Sequence, residues 1–468
     1  MIVAVLILLP FAAALTVWLL RGRWCRSILT LTALVQAALA AFLLCSSDVV
    51  LDICGGSFGS ISGDIGQWVL MITSVLFVLV SLYLPGWLTA DGEAGKARHG
   101  EHALPKYVLL SLVLIFVGTM NLTALARDFG MLWVAVEATT LASAPLINFH
   151  RSKSSLEAMW KYLLLCSLGI GLALFGTMLL SAGLPEGSSL NFDAIGKVDP
   201  QWFKAAFIFC FAGYGLKAGL APFHAWMPDS YSEAPTPVSA LLSASLPNCA
   251  MLGVLRIRNA APAELQGFCN GFFIFFGILS LVIAAAFIIR QKDFKRMLAY
   301  SSVEHMGLIA LMFGFLLPEA AKIHMLFHSM CKMMLFLIAG NLVLAYGVRK
   351  VEAVRGLFSR FKRNGKLWLP GVLLLCGVVP SPLFFTEWAL VQKSGLLAGG
   401  VILLLLTVIF CAMTDIVIKM SMGEAAEPEL PEIDTAAEKL AVVPALTLIL
   451  VTGSGLWFCA QVFMRLIS

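Results

Sequence analysis

Lys217 stands inside the apolar run FIFCFAGYGLKAGLAPFHAWMPDS, whose helix is interrupted soon afterwards by Pro222 and Pro228. In hydrocarbon an unpaired ammonium costs roughly 2.5–3.5 kcal/mol on an insertion scale, and backbone freed by a break adds to it, so both must line an enclosed cavity. Glu137, in MLWVAVEATTLASAPLI, needs a nearby cation or water to keep its charge in an apolar run. The alternative is a neutral acid bonded to a neighbouring helix. In KIHMLFHSMCKMMLFLIAG, His324, His328 and Lys332 follow at i,i+4 steps. Each step turns about 40° and rises about 6 Å, giving a slanted ladder of roughly 12 Å suited to a water-bridged proton relay. A membrane histidine taken alone reads instead as a helix-to-helix hydrogen bond. Glu387, in PLFFTEWALVQK, follows Pro380 and Pro382 and is either a relay carboxylate or an interfacial one.

Other charges carry less. Glu157 with Lys161, and Asp415 with Lys419, have the i,i+4 spacing of helix ion pairs. Lys161 lies beside WKYLLLC and is an accessory candidate, as are Glu304 and His305 in AYSSVEHMGLIA, which either feed protons inward or cap packing. H-x-x-x-H with no Glu or Cys beside it lacks a third ligand, so no metal site is expected. The energies suit proton movement. A proton's binding changes by about 1.4 kcal/mol per pH unit, and one charge crossing about 180 mV changes by about 4 kcal/mol. A lysine whose carboxylate partner approaches and withdraws can therefore load and release a proton against such a potential, and Glu137 is the candidate partner of Lys217.

The elements that must hold these groups are membrane spans. The 468 residues are 60% hydrophobic and 13% charged, with mean hydropathy +0.92. About fourteen runs are long enough to cross a ~30 Å core, near 2–20, 27–46, 66–87, 106–126, 129–149, 158–182, 202–220, 236–258, 267–290, 296–317, 322–347, 367–393, 397–420 and 439–462. The first is followed by Arg21, Arg23 and Arg26, a stop-transfer pattern, and is expected to stay as the first helix with its N-terminus outside. Basic loops follow odd-numbered spans, among them Lys96 with Arg98, Arg290 to Arg296, and Arg349 to Lys366. By the positive-inside rule these are cytoplasmic. The loop at 47–65 carries Asp48, Asp52 and Asp64 with no Lys or Arg, while Arg256 and Arg258 conflict with the scheme. The net charge of +5 is thus topological, and no basic domain supports nucleic-acid binding. Eleven cysteines without C-x-x-C read as small core residues, and no G-x-G-x-x-G, P-loop or H-E-x-x-H is present.

The seventh and twelfth spans are both broken by proline beside an ionisable residue, and they lie five spans apart. That pattern points to two inverted repeats with sites near the midplane. The fold expected is all-α: N-terminal helices over 1–105, a first repeat over 106–258, a second over 267–420, and a last helix over 439–468.

KAGLAPFHAWMPDSYSEAPTP from Lys217, DFKRMLAYSSVEHMGL, the ladder ending at Lys332 and the segment bearing Glu387 together resemble antiporter-like, proton-translocating subunits. These are shared by respiratory complex I, Mrp-type sodium/proton antiporters and group 4 hydrogenases. LWVAVEATTL, EAMWKYLLLC and SALLSASLPNCA are similar to the F component of hydrogenase-4 and formate hydrogenlyase-type complexes. The resemblance implies fourteen helices, a Glu137–Lys217 pair, a central relay lysine at Lys332 and a terminal carboxylate at Glu387. Where relatives carry an eighth-helix histidine or lysine, this chain has Ser243 and Asn248. A hand-over from Lys217 to Lys332 would then need His324, His328 or water. The function implied is proton translocation driven by redox chemistry in partner subunits. The alternatives are a sodium/proton antiporter subunit of an Mrp-like complex, or a structural subunit that does not pump. No cofactor is expected in this chain; iron–sulfur clusters, a nickel–iron site or quinone would belong to partners. Those partners would be other antiporter-like and small membrane subunits and a hydrogenase- or complex I-like peripheral arm, in the cytoplasmic membrane.

Overall fold

The computed structural model describes the chain except residues 23, 47, 54–55, 62, 100–103, 362, 423–434 and 468, and leaves aside the side chains of 52–56, 92–99, 435–436 and 462–467. Of the loop charges named above, Arg23 lies outside the described residues, and the side chains of Asp52, Lys96 and Arg98 are left aside.

Backbone groups in hydrocarbon have no water to bond, so apolar runs close their own hydrogen bonds as helices. Among the described residues, 13 helices are long and apolar enough to cross a membrane: Ile2–Leu20, Cys25–Leu44, Ile65–Asp91, Lys106–Leu125, Phe129–Ile147, Lys153–Ala182, Pro200–Glu233, Thr236–Asn259, Ala263–Ile288, Phe294–Gly314, Pro318–Tyr346, Gly395–Met422 and Ala437–Gln461. The remaining expected span, twelfth in order, is two shorter helices, Asn364–Leu375 and Pro382–Lys393. Burial ranks the spans. The most apolar window of the eighth is 100% buried and that of the tenth 94%, against 28% for Gly395–Met422, most of whose surface is not covered by this chain.

Two details differ from the sequence reading. Residues 47–65, expected as a plain loop, contain an antiparallel hairpin of Val49–Ile53 with Gly56–Ser60. Val49, Val50 and Ile53 are β-branched and suit a strand, in a run too short to span. The eighth span, expected as continuous, is Thr236–Ala244 and Leu246–Asn259, interrupted at Ser245. Pro247 has no N–H to give and its ring crowds the carbonyl four residues back, which opens the helix there.

The chain forms two compact units. One comprises Met1–Ser81, His102–Ala234 and Ser245–Phe272; the other comprises Leu82–Glu101, Pro235–Ala244 and Phe273–Ser468. The same local pattern occurs in each. In the first, Asp128 pairs with Asn191 in an isolated antiparallel bridge, and Phe129 N donates to Leu190 O at 3.1 Å. In the second, Asp293 pairs with Lys350, and Phe294 N donates to Arg349 O at 3.2 Å. Both aspartates are N-caps: Asp128 accepts from Met131 N, and Asp293 from Lys295 N and Arg296 N. Each caps a helix that carries a candidate glutamate, Glu137 or Glu304. Each unit also holds a cis proline at its break, Ala221–Pro222 and Val379–Pro380.

Arg256, which conflicted with the loop charges, is neutralised internally. Its Nη1 donates to Asp64 Oδ1 at 2.6 Å and its Nη2 to Asp64 Oδ2, while the guanidinium lies 4.6 Å from the Phe192 ring centre. Arg258 donates to Asn270 Oδ1 at 3.1 and 3.0 Å.

Candidate functional site

In the first unit, Lys217 is wholly buried in the last turn of helix Pro200–Ala218. Gly219 ends that helix in the left-handed region, φ 83°, which glycine adopts at no steric cost. A cation in the last turn also meets the negative end of the helix dipole. Close packing brings the helix inward: a Cβ on Gly213 would stand 2.4 Å from Gly169 O on the neighbouring Lys153–Ala182 helix. Lys217 Nζ donates to Val136 O and, at 2.5 Å, to Thr140 Oγ1. Thr140 Oγ1 in turn donates to Glu137 Oε2 at 3.1 Å, and Ser167 Oγ donates to Glu137 Oε1 at 2.9 Å. Among the described contacts, the lysine and the glutamate therefore meet through a hydroxyl. Thr140 is fully buried, whereas Glu137 is half-buried and Ser167 exposed on the surface of this chain.

The second unit gathers the tenth, eleventh and twelfth spans around imidazoles. Lys332 is fully buried, and its Nζ donates to Leu298 O and to Ser301 Oγ, both at 2.5 Å. The single-helix ladder is only half of the arrangement. His324 and His328 have ring centres 6.5 Å apart, and His305 from the adjacent helix lies 5.2 Å from the first and 4.7 Å from the second. His305 Nδ1 and His324 Nε2 share a hydrogen bond at 3.0 Å, and His324 Nδ1 bonds Thr386 Oγ1 at 2.8 Å. His328 is 1% exposed, and neither ring nitrogen has a hydrogen-bonding partner among the described residues. Glu304 is buried on the same helix as His305.

Glu387 is partly exposed as a residue, while its carboxyl end is enclosed. The break in the twelfth span makes its seat. Ser381 caps the helix starting at Pro382, and Gly377, at φ +68°, lies so near that a Cβ there would stand 2.3 Å from Glu387 Oε2. The ligand atoms of His305, His324 and Glu387 all fall within 4.8 Å of one another. The want of a third ligand, which argued against a metal along one helix, does not hold once three helices meet.

The remaining candidates have other surroundings. Lys161 is about half-exposed and pairs with Glu157 at 2.7 Å and Asp229 at 3.1 Å. Lys419 pairs with Asp415 at 2.6 Å in an exposed position. Ser243 is buried and donates to Ala240 O at 3.1 Å. Asn248 is buried beyond the interruption at Ser245. Pro228 falls within the short helix Trp226–Glu233 after the Pro222 break. Thr140, Ser167, Ser301 and Thr386 were not singled out from the sequence. An i,i+3 hydroxyl beside a membrane glutamate, as in E-A-T-T, is the signal that would have found the first.

Residues 126–414 match the family described as NADH:quinone oxidoreductase/Mrp antiporter, TM. The chain is 32% identical over 374 residues to the hydrogenase-4 component F homolog of Methylacidiphilum infernorum, covering 76% of this chain and 77% of that protein. Its fold is similar to a chain of the archaeal membrane-bound sulfane sulfur reductase, with TM-score 0.85 and 21% identity over 98% of this chain and 95% of the other. It is also similar to a chain of the Mrp complex from Dietzia sp. DQ12-45-1b, with TM-score 0.81 and 19% identity over 97% and 95%. A multi-pass helical chain with charged groups seated inside its spans, matched over most of its length, is a member of the NADH:quinone oxidoreductase/Mrp antiporter transmembrane family.

Proposed function

We propose that this chain is the proton-translocating membrane subunit of a redox-driven assembly of the hydrogenase-4 or complex I kind. It lies in the cytoplasmic membrane with its N-terminus outside. The observation that carries the reading is the hydrogen-bonded chain from Lys217 through Thr140 to Glu137. A buried ammonium that donates to a hydroxyl, which itself donates to a carboxylate, has a route for its proton and a reason to release it when the local charge changes. In the second unit Lys332, the three histidines and Glu387 supply acceptors on three helices, with Glu387 at the outward end. Partner subunits hold the electron carriers, whether iron–sulfur clusters, a nickel–iron site or quinone. Further antiporter-like and small membrane subunits and a peripheral arm complete the assembly.

Lys217→Ala in the assembled, reconstituted complex tests this. A ΔpH-sensitive dye is expected to report loss of proton uptake while the subunits still copurify. Proton uptake that survives the substitution in an intact complex refutes the reading, and uptake that requires sodium would reassign the subunit to ion exchange.

A further inference from the structure

We propose that His305, His324 and Glu387 bind a divalent transition-metal cation of the zinc type, independently of whether protons pass the same point. The three ligands come from separate helices, Phe294–Gly314, Pro318–Tyr346 and Pro382–Lys393. Tetrahedral zinc, with bonds of about 2.0–2.1 Å, holds its ligand atoms roughly 3.3 Å apart. His305 Nδ1 and His324 Nε2 are already 3.0 Å apart. Only the Glu387 carboxylate must swing inward, from within the 4.8 Å that encloses all three ligand atoms.

The proton positions leave a lone pair where a cation would need one. Thr386 Oγ1 donates its hydrogen to Leu383 O at 2.8 Å, so towards His324 Nδ1 it acts as acceptor. With that proton on Nδ1, neutral His324 carries its lone pair on Nε2, the atom aimed at His305. A metal-bound histidine is held in the same way, its second nitrogen donating to a fixed oxygen that sets the ring. His328, whose ring centre lies 4.7 Å from that of His305, is not among the three side chains whose ligand atoms fall within 4.8 Å of one another, so the fourth position is left to water. Two imidazoles and one carboxylate select zinc or cobalt over magnesium or calcium, which prefer oxygen alone.

The test is a Co2+ titration of the full-length chain, purified metal-free in detergent and followed by the visible absorption of tetrahedral cobalt. A single equivalent is expected to develop the band. Glu387→Gln and His305→Gln are each expected to abolish it. Thr386→Val, which keeps every ligand and the side-chain volume, should weaken binding about 10–100-fold. No band in the unaltered chain, or a band that persists in both ligand variants, overturns the proposal.

Discussion

Lys217 and Lys332 each rest on one main-chain carbonyl and one hydroxyl: Val136 and Thr140 for Lys217, Leu298 and Ser301 for Lys332. Such a seat solvates an ammonium without committing it. A buried ion pair in direct contact would cost several kcal/mol to open, because each charge would be left desolvated. Thr140→Val removes the link while keeping the shape. A hydrogen bond to a charged group contributes about 1.5–3 kcal/mol, so proton uptake by the reconstituted complex is expected to fall about tenfold or more. Thr140→Ser should restore it, and equal uptake in the valine and serine variants would show that the hydroxyl is idle. The charges were legible in the sequence because each is expensive in hydrocarbon. The hydroxyls were not, because threonine and serine cost little in a helix and occur throughout. His305 was visible as a buried histidine, but its place between His324 and His328 depends on how two helices pack, which spacing along one of them cannot give.

At the level of elements, proline marked the breaks that matter most, after Lys217 and before Glu387. The interruption at Ser245 and the hairpin at 49–60 were missed. In the first, Pro247 sits inside an otherwise unbroken apolar run; in the second, alternation is too brief to stand out. The paired caps at Asp128 and Asp293 were likewise unread, although both precede phenylalanine at the start of a span. Asp293 ties two backbone N–H groups, at 2.8 and 3.0 Å, to the start of the helix that carries Glu304 and His305. Asp293→Ala should destabilise the chain by about 1 kcal/mol, seen as a lower midpoint in thermal unfolding of the detergent-solubilised protein. Asp293→Asn should retain most of that stability. An unshifted midpoint in the alanine variant would mean that the bridge to Lys350 suffices without the cap.

For the whole molecule, the span order places successive loops on alternate sides of the membrane. Arg256, on the side that this order makes external, is paired with Asp64 within the same unit. In a cysteine-free background, Ser188→Cys should react with a membrane-impermeant maleimide from outside the cell, and Lys153→Cys only after the cells are opened. The reverse pattern would invert the topology and with it the direction of transport. The Thr140 hydroxyl then bears on turnover. It points its one hydrogen at Glu137, so passing that hydrogen on while taking another from Lys217 leaves it facing back towards the lysine. A second proton cannot follow until the C–O bond has rotated. A proton path through Thr140 would therefore be spent by each passage and rewound before the next, which would space protons one at a time.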